Sequence, residues 1–451
     1  MSVMAVLFWT TTAACICAWI FRMCKGDFFS ILTYVVTGIY LPMFLYFAGW
    51  SVLFLTPVQD DFYWIFIVFN MLLLLVQFLD PLVKRPQGLR FRYKLGPAFL
   101  AIVDIVYLLA MFAENYMGSG RVLPGLAGID IHTYHAPILF YITGATYIVV
   151  AFNTLAALDG KKWLLAFDAL VVALLFFGKS ARMDAFIAIV ECISLVAFVG
   201  IPETIRRKST KPEKPRSKIK RVSAAMAIVV VLVLVVQTGI NIGNDRMNSY
   251  GRYDIEYGDG IGYCGPEIFG DALSLYYGYF PFSFYNLNNN IAFVGHQGSF
   301  AGINSYRSFY FGVLQFDNLF DVPLNEANSS KVIVTKGATV TTGFWDFYYD
   351  YGQFCIIPIA VTLSIYLLLR RSFARNHNGS PMCVLAYFYW VPLWFFMSFN
   401  DTVWDTCVLV NLILIALVSR KAFVLSVDQS RAVCDEADAQ RFSGRSLNAG
   451  R

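Results

Sequence analysis

The feature that most constrains this chain is a recurring run of about 20 apolar residues, the length a helix needs to cross a bilayer core of roughly 30 Å. Eleven such stretches occur, near Val3 to Phe21, Ser30 to Leu55, Phe62 to Leu79, Leu95 to Phe112, Ala136 to Leu158, Trp163 to Gly178, Asp184 to Ile201, Val222 to Ile242, Tyr351 to Leu369, Met382 to Phe399 and Val403 to Ser419. Inside hydrocarbon a backbone must satisfy its polar groups within its own segment, so each stretch predicts a helix. Charged residues are only 14% of the 451, against about 25% in a soluble domain, which excludes a water-soluble globular enzyme. An apolar fraction of 58% equally excludes a disordered chain. The first stretch does not read as a cleavable signal, since nothing basic precedes it and Arg22 and Lys25 follow.

Loops on the cytoplasmic side carry the excess of Lys and Arg, so charge placement tests the eleven helices. With the N-terminus outside, the inner segments are 22–27, 80–94, 159–162, 202–221, 370–381 and 420–451, and they hold 27 of the 35 basic residues. Only Arg121, Lys179, Arg182, Arg246, Arg252, Arg307, Lys331 and Lys336 fall outside. One missed or invented helix would invert every later loop, placing the basic stretch from Pro202 to Arg221 outside. That stretch reads as a topology determinant near anionic lipid. The expected fold is therefore an all-α polytopic membrane protein of about 11 transmembrane helices, N-out and C-in. It divides into helices and short loops over 1–242, a large outer loop over 243–350, three further helices over 351–421 and a polar tail over 422–451.

The outer loop has 108 residues, of which 25 are aromatic, and its 11 acids outnumber its 5 bases. It is too long for a connector and too aromatic for a disordered linker, which predicts a folded cap on the outer membrane face. The run from Ala272 to Leu287 suggests an interfacial or re-entrant element with tyrosines at headgroup level. The nine cysteines are scattered without CxxC pairs, so neither a zinc site nor a disulfide framework is indicated. Cys264 alone lies in the loop, leaving a bond to Cys355 as the one disulfide to consider.

Against this background a few residues invite chemistry. Lys179 and Arg182 sit in a tight outer hairpin, GKSARMDAF, where positive charge is disfavoured. Arg182 either meets an anionic group or snorkels to lipid phosphate or Asp184. Arg246 and Arg252, at the start of the large loop, would complete a guanidinium cluster suited to a diphosphate, or else pair with Asp245, Asp254 and Glu256. Asp254 and Glu256 themselves are either a divalent-ion pair or ordinary loop charge. His296, the only histidine of the loop, suits a general base or is plain polar surface. His132 and His135 share a helix face if that segment is helical. Asp346 and Asp350, four apart at the entry to the ninth helix with Trp345 and Tyr349 beside them, either handle a sugar hydroxyl or cap the helix.

The hairpin GKSARMDAFIAIV, the loop run LSLYYGYFPFSFYNLNNN and the helix entry TTGFWDFYYDYGQFCIIPIAVTLSIYL together resemble the oligosaccharide repeat-unit polymerases (Wzy-type O-antigen or capsule polymerases) of bacterial inner membranes. The helix entry matches the family's threonine, tyrosine and Asp-x-Gly as Thr342, Tyr349, Asp350 and Gly352. The Arg-x10-Gly pattern of some members is absent after Arg182, Arg246, Arg252 and Arg307. The resemblance spans residues 178 to 370 and implies a GT-C-like bundle in a multi-pass inner-membrane protein. It implies metal-independent and cofactor-free transfer of a growing glycan from undecaprenyl diphosphate to the non-reducing end of a lipid-linked repeat unit. Arg182, Arg246, Arg252 and Lys179 would bind the diphosphate, and His296 or Asp350 would serve as base. Tyr276, Tyr277, Trp345, Tyr349 and Asp346 would hold glycan. A chain-length regulator is an implied partner, and nucleic acid is not. An O-antigen ligase is the nearest rival. A lipid-linked oligosaccharide flippase would instead draw on Asp104, Asp168 and Glu191, which sit within expected helices.

Overall fold

The computed structural model describes residues 2–84, 89–124, 136, 139–179, 182–199, 257–266, 271–298, 302–306, 310, 331–332, 334–335, 340–377, 379–404 and 406–427. The span expected near Val222 to Ile242, the basic stretch from Pro202 to Arg221 and residues 428–451 lie outside them.

Among the described residues the chain is a bundle of helices with one small sheet. The helices are α1 (Val3–Cys24), α2 (Ile31–Phe47), α3 (Asp60–Leu79), α4 (Pro97–Ser119), α5 (Leu139–Thr143), α6 (Thr146–Leu158), α7 (Leu165–Ala173), α8 (Arg182–Val199), α9 (Tyr257–Gly260), α10 (Asp271–Tyr279), α11 (Pro281–Phe293), α12 (Phe344–Tyr351), α13 (Ile356–Asn376), α14 (Pro381–Trp390) and α15 (Thr406–Ala422). Six segments are long and apolar enough to cross a membrane: Val3–Cys24, Asp60–Leu79, Ala98–Ser119, Tyr141–Leu158, Phe344–Asn376 and Pro381–Ser398. Helix α4 shows why they read as membrane helices. It exposes Ile102, Ile105, Val106 and Leu109 while burying Asp104, Glu114 and Asn115, the reverse of a soluble amphipathic helix.

Several elements depart from the sequence reading. The second stretch leaves the helix after Phe47, because Gly49 takes a left-handed φ of 69° just past its end. The sixth is broken, with a 3-10 turn at Lys162–Leu164 before α7 and a π turn at Leu174–Lys179 after it. The ninth starts early, at Phe344, and is interrupted at Gly352 by a φ of 54°. The expected polar tail begins with a strand: β2 (Phe423–Val427) pairs antiparallel with β1 (Leu89–Tyr93), Leu89 opposite Val427 and Tyr93 opposite Phe423. Strand β1 alternates apolar and polar residues, whereas β2 has Ser426 as its one polar residue, and both are too short to register among the apolar runs.

The connections collect at two opposite ends of the bundle. One end, here the ribbon end, holds β1 and β2, Asp159, whose carboxylate accepts the Tyr93 N–H at 3.2 Å, and Lys94, which donates to the Arg420 carbonyl at 3.2 Å. Deep in this end lies a four-charge cluster. Arg370 (0% exposed) reaches Asp27 at 2.5 Å through Nη2 and Asp80 at 2.9 Å through Nε, and Arg22 reaches the same two carboxylates at 2.6 and 3.2 Å. Tyr366 adds a hydroxyl to Asp80 at 2.7 Å. The cluster is balanced, two guanidiniums against two carboxylates, which is the arrangement that makes buried charge tolerable. It ties α1, α3, α13 and the loop before α2 to one point.

At the other end, the cap end, the large loop meets the α2–α3 connection where Ser51 bridges Tyr263, and Trp64 Nε1 of α3 donates to the Gln353 carbonyl, just past α12, at 3.1 Å. Between the ends the core is largely aromatic, with Phe344 edge-on to Phe66 and Phe69, and Phe69 stacked on Trp394 at 5.9 Å. Apolar lipid gives helices no hydrophobic reason to associate, so close contact decides the packing. Helix α2 supplies the tightest example. A π turn at Val36–Tyr40 lets Gly38 meet the backbone of Phe395, and a Cβ there would overlap the Phe395 carbonyl and Cα. Gly38→Ala is expected to lower stability by about 1–3 kcal/mol, as overpacking does, and to depress Tm in detergent. An unchanged Tm would show that the two backbones are not in contact.

Candidate functional site at the cap end

Helices α10 and α11 form the floor of the cap. Pro281 begins α11 at a position where its missing N–H costs nothing, and the helix is buried from Pro281 to Ile291. Its asparagine run is a clamp. Asn288 accepts the Gln59 N–H at 2.9 Å and donates to the Pro57 carbonyl at 3.0 Å, Asn290 accepts the Val332 N–H at 2.7 Å, and Asn286 donates to the Val340 carbonyl at 2.7 Å. Carboxamides suit this work because each offers a donor and an acceptor to backbone that would otherwise be buried unpaired. The run expected to be interfacial or re-entrant is, from Pro281 on, a buried scaffold holding three loops against the bundle.

On this scaffold the candidate residues fall into three groups. Tyr277 and Trp345 are fully buried (0% exposed), Tyr277 between Trp50, Phe54 and Tyr263, so in this structure neither has a ring face open to a sugar. Tyr276 is half-buried and stacked on Phe280 at 5.0 Å, and burial pushes its hydroxyl up to about 12. Asp350 is buried and heavily engaged: it accepts from Asn304 Nδ2 at 2.6 Å, from the Ser305 N–H at 2.6 Å and from Ser305 Oγ at 2.7 Å. A carboxylate so occupied is a strut that fixes residues 304–305 onto α12.

The third group is accessible. His296 is exposed, and its ring lies against Gly352, where a Cβ would approach Cδ2 to 2.9 Å. Its loop is fixed by the Gln297 and Gly298 N–H groups, which both donate to the Tyr349 carbonyl at 3.1 and 3.2 Å. The Tyr348 ring stands 6.3 Å from His296, and its hydroxyl donates to Asp61, in the first turn of α3, in a short bond. Asp346 and Tyr349 are half-exposed on the same helix. The surface therefore combines the exposed imidazole of His296 with the half-exposed Asp346 and Tyr349 of α12, beside the half-exposed Asp61 that the buried Tyr348 holds.

No protein-family model matches this chain, and no curated protein or solved structure is significantly similar to it. The site thus stands on its own geometry. Of the expected anion-binding residues, Lys179 closes the π turn and Arg182 opens α8, at the cap end of the bundle opposite Phe198, which packs on Phe29 and Phe373. Arg246, Arg252, His132, His135, Asp254 and Glu256 lie outside the described residues. Among the described residues no group of three or more His, Cys, Asp or Glu gathers as a metal site, and Cys264 and Cys355 are both free thiols. The residues that sequence reasoning passed over are Asp61, Tyr348, Asn304 and Ser305. The acidic pair Asp60-Asp61 directly before an apolar run was the available signal for the first of them.

Proposed function

We propose that the protein is a glycosyltransferase of the repeat-unit polymerase kind, with eleven spans, the N-terminus and cap end outside and the ribbon end in the cytoplasm. It transfers a growing glycan from undecaprenyl diphosphate to the non-reducing-end hydroxyl of a lipid-linked repeat unit, at the outer face of a bacterial inner membrane. The observation that supports this most is the set at the cap end, exposed His296 with half-exposed Asp61, Asp346 and Tyr349, Asp61 being held by the buried Tyr348, beside the Thr342, Tyr349, Asp350, Gly352 helix entry. A loop anchored this tightly fits a site that must hold two bulky glycans in register. Arginines, Arg182 foremost, stabilise charge on the departing diphosphate, while the imidazole of His296 takes the acceptor proton. Asp350, already accepting three hydrogen bonds, holds the site together, and Asp61 is the alternative base.

In the native host, loss of the gene should leave surface glycan of a single repeat unit, and a plasmid copy should restore the ladder. His296→Ala should reduce polymer formation at least about tenfold with normal protein abundance. A ladder that survives gene loss would end the polymerase reading, and complete loss of surface glycan would instead favour a flippase. If the polymerase reading holds but His296→Ala is active, Asp61 is the base to test next.

A further inference from the structure

Towards the ribbon end, α4, α6 and α7 bring three polar side chains together in the interior: Asp104, Asn153 and Asp168, exposed to 1%, 0% and 8%. Asn153 Nδ2 donates to Asp104 Oδ1 at 2.9 Å, and Thr154 Oγ1 donates to Asp168 Oδ2 at 3.2 Å. The two carboxylates lie within electrostatic reach of one another. What remains is one-sided. Asp104 Oδ2, Asn153 Oδ1 and Asp168 Oδ1 are buried acceptors without a hydrogen-bond partner, and among the described residues no basic side chain acts on either carboxylate. The Tyr93 hydroxyl on β1, within reach of Asp104, is also buried and unpartnered. From α8, Cys192 lies within electrostatic reach of Asp168, and next in sequence stands Glu191, fully buried with both oxygens unpartnered.

Contrast the four-charge cluster nearby, where every carboxylate meets a guanidinium. Buried charge without a partner is costly enough that such a group either takes up a proton or holds a compensating cation. The neutral Asn153 oxygen is the telling atom, because its amide is already oriented by Asp104 and the oxygen still meets no donor. Vacant oxygens from two acids and an amide form a hard, oxygen-only ligand set. Calcium asks for six to eight oxygens and magnesium sheds its water reluctantly, so a buried site of three protein oxygens suits neither.

We propose that Asp104, Asn153 and Asp168 form an intramembrane binding site for a small monovalent cation, coordinated through oxygen alone. A proton competes with it, because protonation of either carboxyl neutralises the charge that holds the cation. Its position towards the ribbon end is remote from the cap, so the site is independent of the glycan-transfer reading and stands or falls without it.

The test uses purified full-length protein in detergent, titrated with sodium chloride against choline chloride at pH 8 and pH 6. Stoichiometric, saturable binding of radioactive sodium is expected at pH 8, with a Tm rise of at least about 2 °C that choline does not give. A Tm rise on acidification without sodium binding at either pH would mean that the carboxyls are neutralised by protons, and would overturn the proposal. The sodium response should be lost in Asp104→Asn and, separately, in Asp168→Asn, which keep shape and remove charge. Asp60→Asn, at the opposite end of the bundle, should keep it. The proposal is also overturned if wild type shows no sodium response, or if either interior variant that folds responds as wild type does. Should one interior variant not fold, the other and the wild-type choline comparison still decide.

Discussion

Arg370→Ala is expected to leave little folded protein. The substitution removes one guanidinium from the four-charge cluster and leaves Asp27 and Asp80, both buried, to share Arg22 alone. Breaking a buried pair by deleting one partner costs about 3–5 kcal/mol, because the abandoned charge stays out of water. That is a large part of the roughly 5–15 kcal/mol by which folded proteins are stable. The cluster also joins segments far apart in the chain, so its loss separates α13 from α1 and α3 together. The readout is the monodisperse fraction and Tm of the protein in detergent. Arg370→Lys should recover only part of it, since an ammonium cannot present the fork that spans Asp27 Oδ2 and Asp80 Oδ1. Wild-type Tm in the alanine variant would mean that the four charges are not packed as described.

The second large effect concerns the proposed polymerase activity. Arg182→Ala is expected to abolish long-chain polymer while leaving abundance unchanged, because Arg182 begins a helix at the cap end, against the distribution of the other basic residues. A donor aimed at developing charge is typically worth about 100- to 1,000-fold in rate, and a polymerase slowed that much would leave glycans of one or a few units. Arg182→Lys should restore short ladders, retaining charge without the bidentate fork. The experiment is a gel of cell-surface glycan beside an immunoblot of membranes. Full-length ladders from the alanine variant would remove Arg182 from the diphosphate site.

How far the sequence could be read depended on the physical range of each signal. Helix positions follow from local apolar length, so most expected stretches coincide with helices. Breaks inside them depend on glycine conformations and π turns, as at Gly49, Gly352 and Val36–Tyr40, which an apolar count does not register. Asp346 and Asp350 were noticed as a spaced pair, but only the fold shows that Asp350 is consumed by Asn304 and Ser305 while Asp346 stays half-exposed. Tyr277 and Trp345 read from the sequence as aromatic platforms, and aromaticity alone cannot distinguish a ring that stacks on a ligand from one that fills a core. The Asp61–Tyr348 contact joins residues 287 positions apart, beyond anything a local pattern can reveal.

The β-ribbon bears on how the molecule is made. Leu89–Tyr93 emerges early in synthesis, and its ladder partner, Phe423–Val427, is translated only after α15. Until then the first strand has an unpaired edge, open to mispairing with whatever extended segment comes near. Once the late strand arrives it fastens the α3–α4 connection to the end of α15, and the early and late parts of the bundle become one body. The ribbon is thus a closing clasp: an assembly that misplaces its last helix keeps a visible loose end, which is what membrane proteases and chaperones recognise.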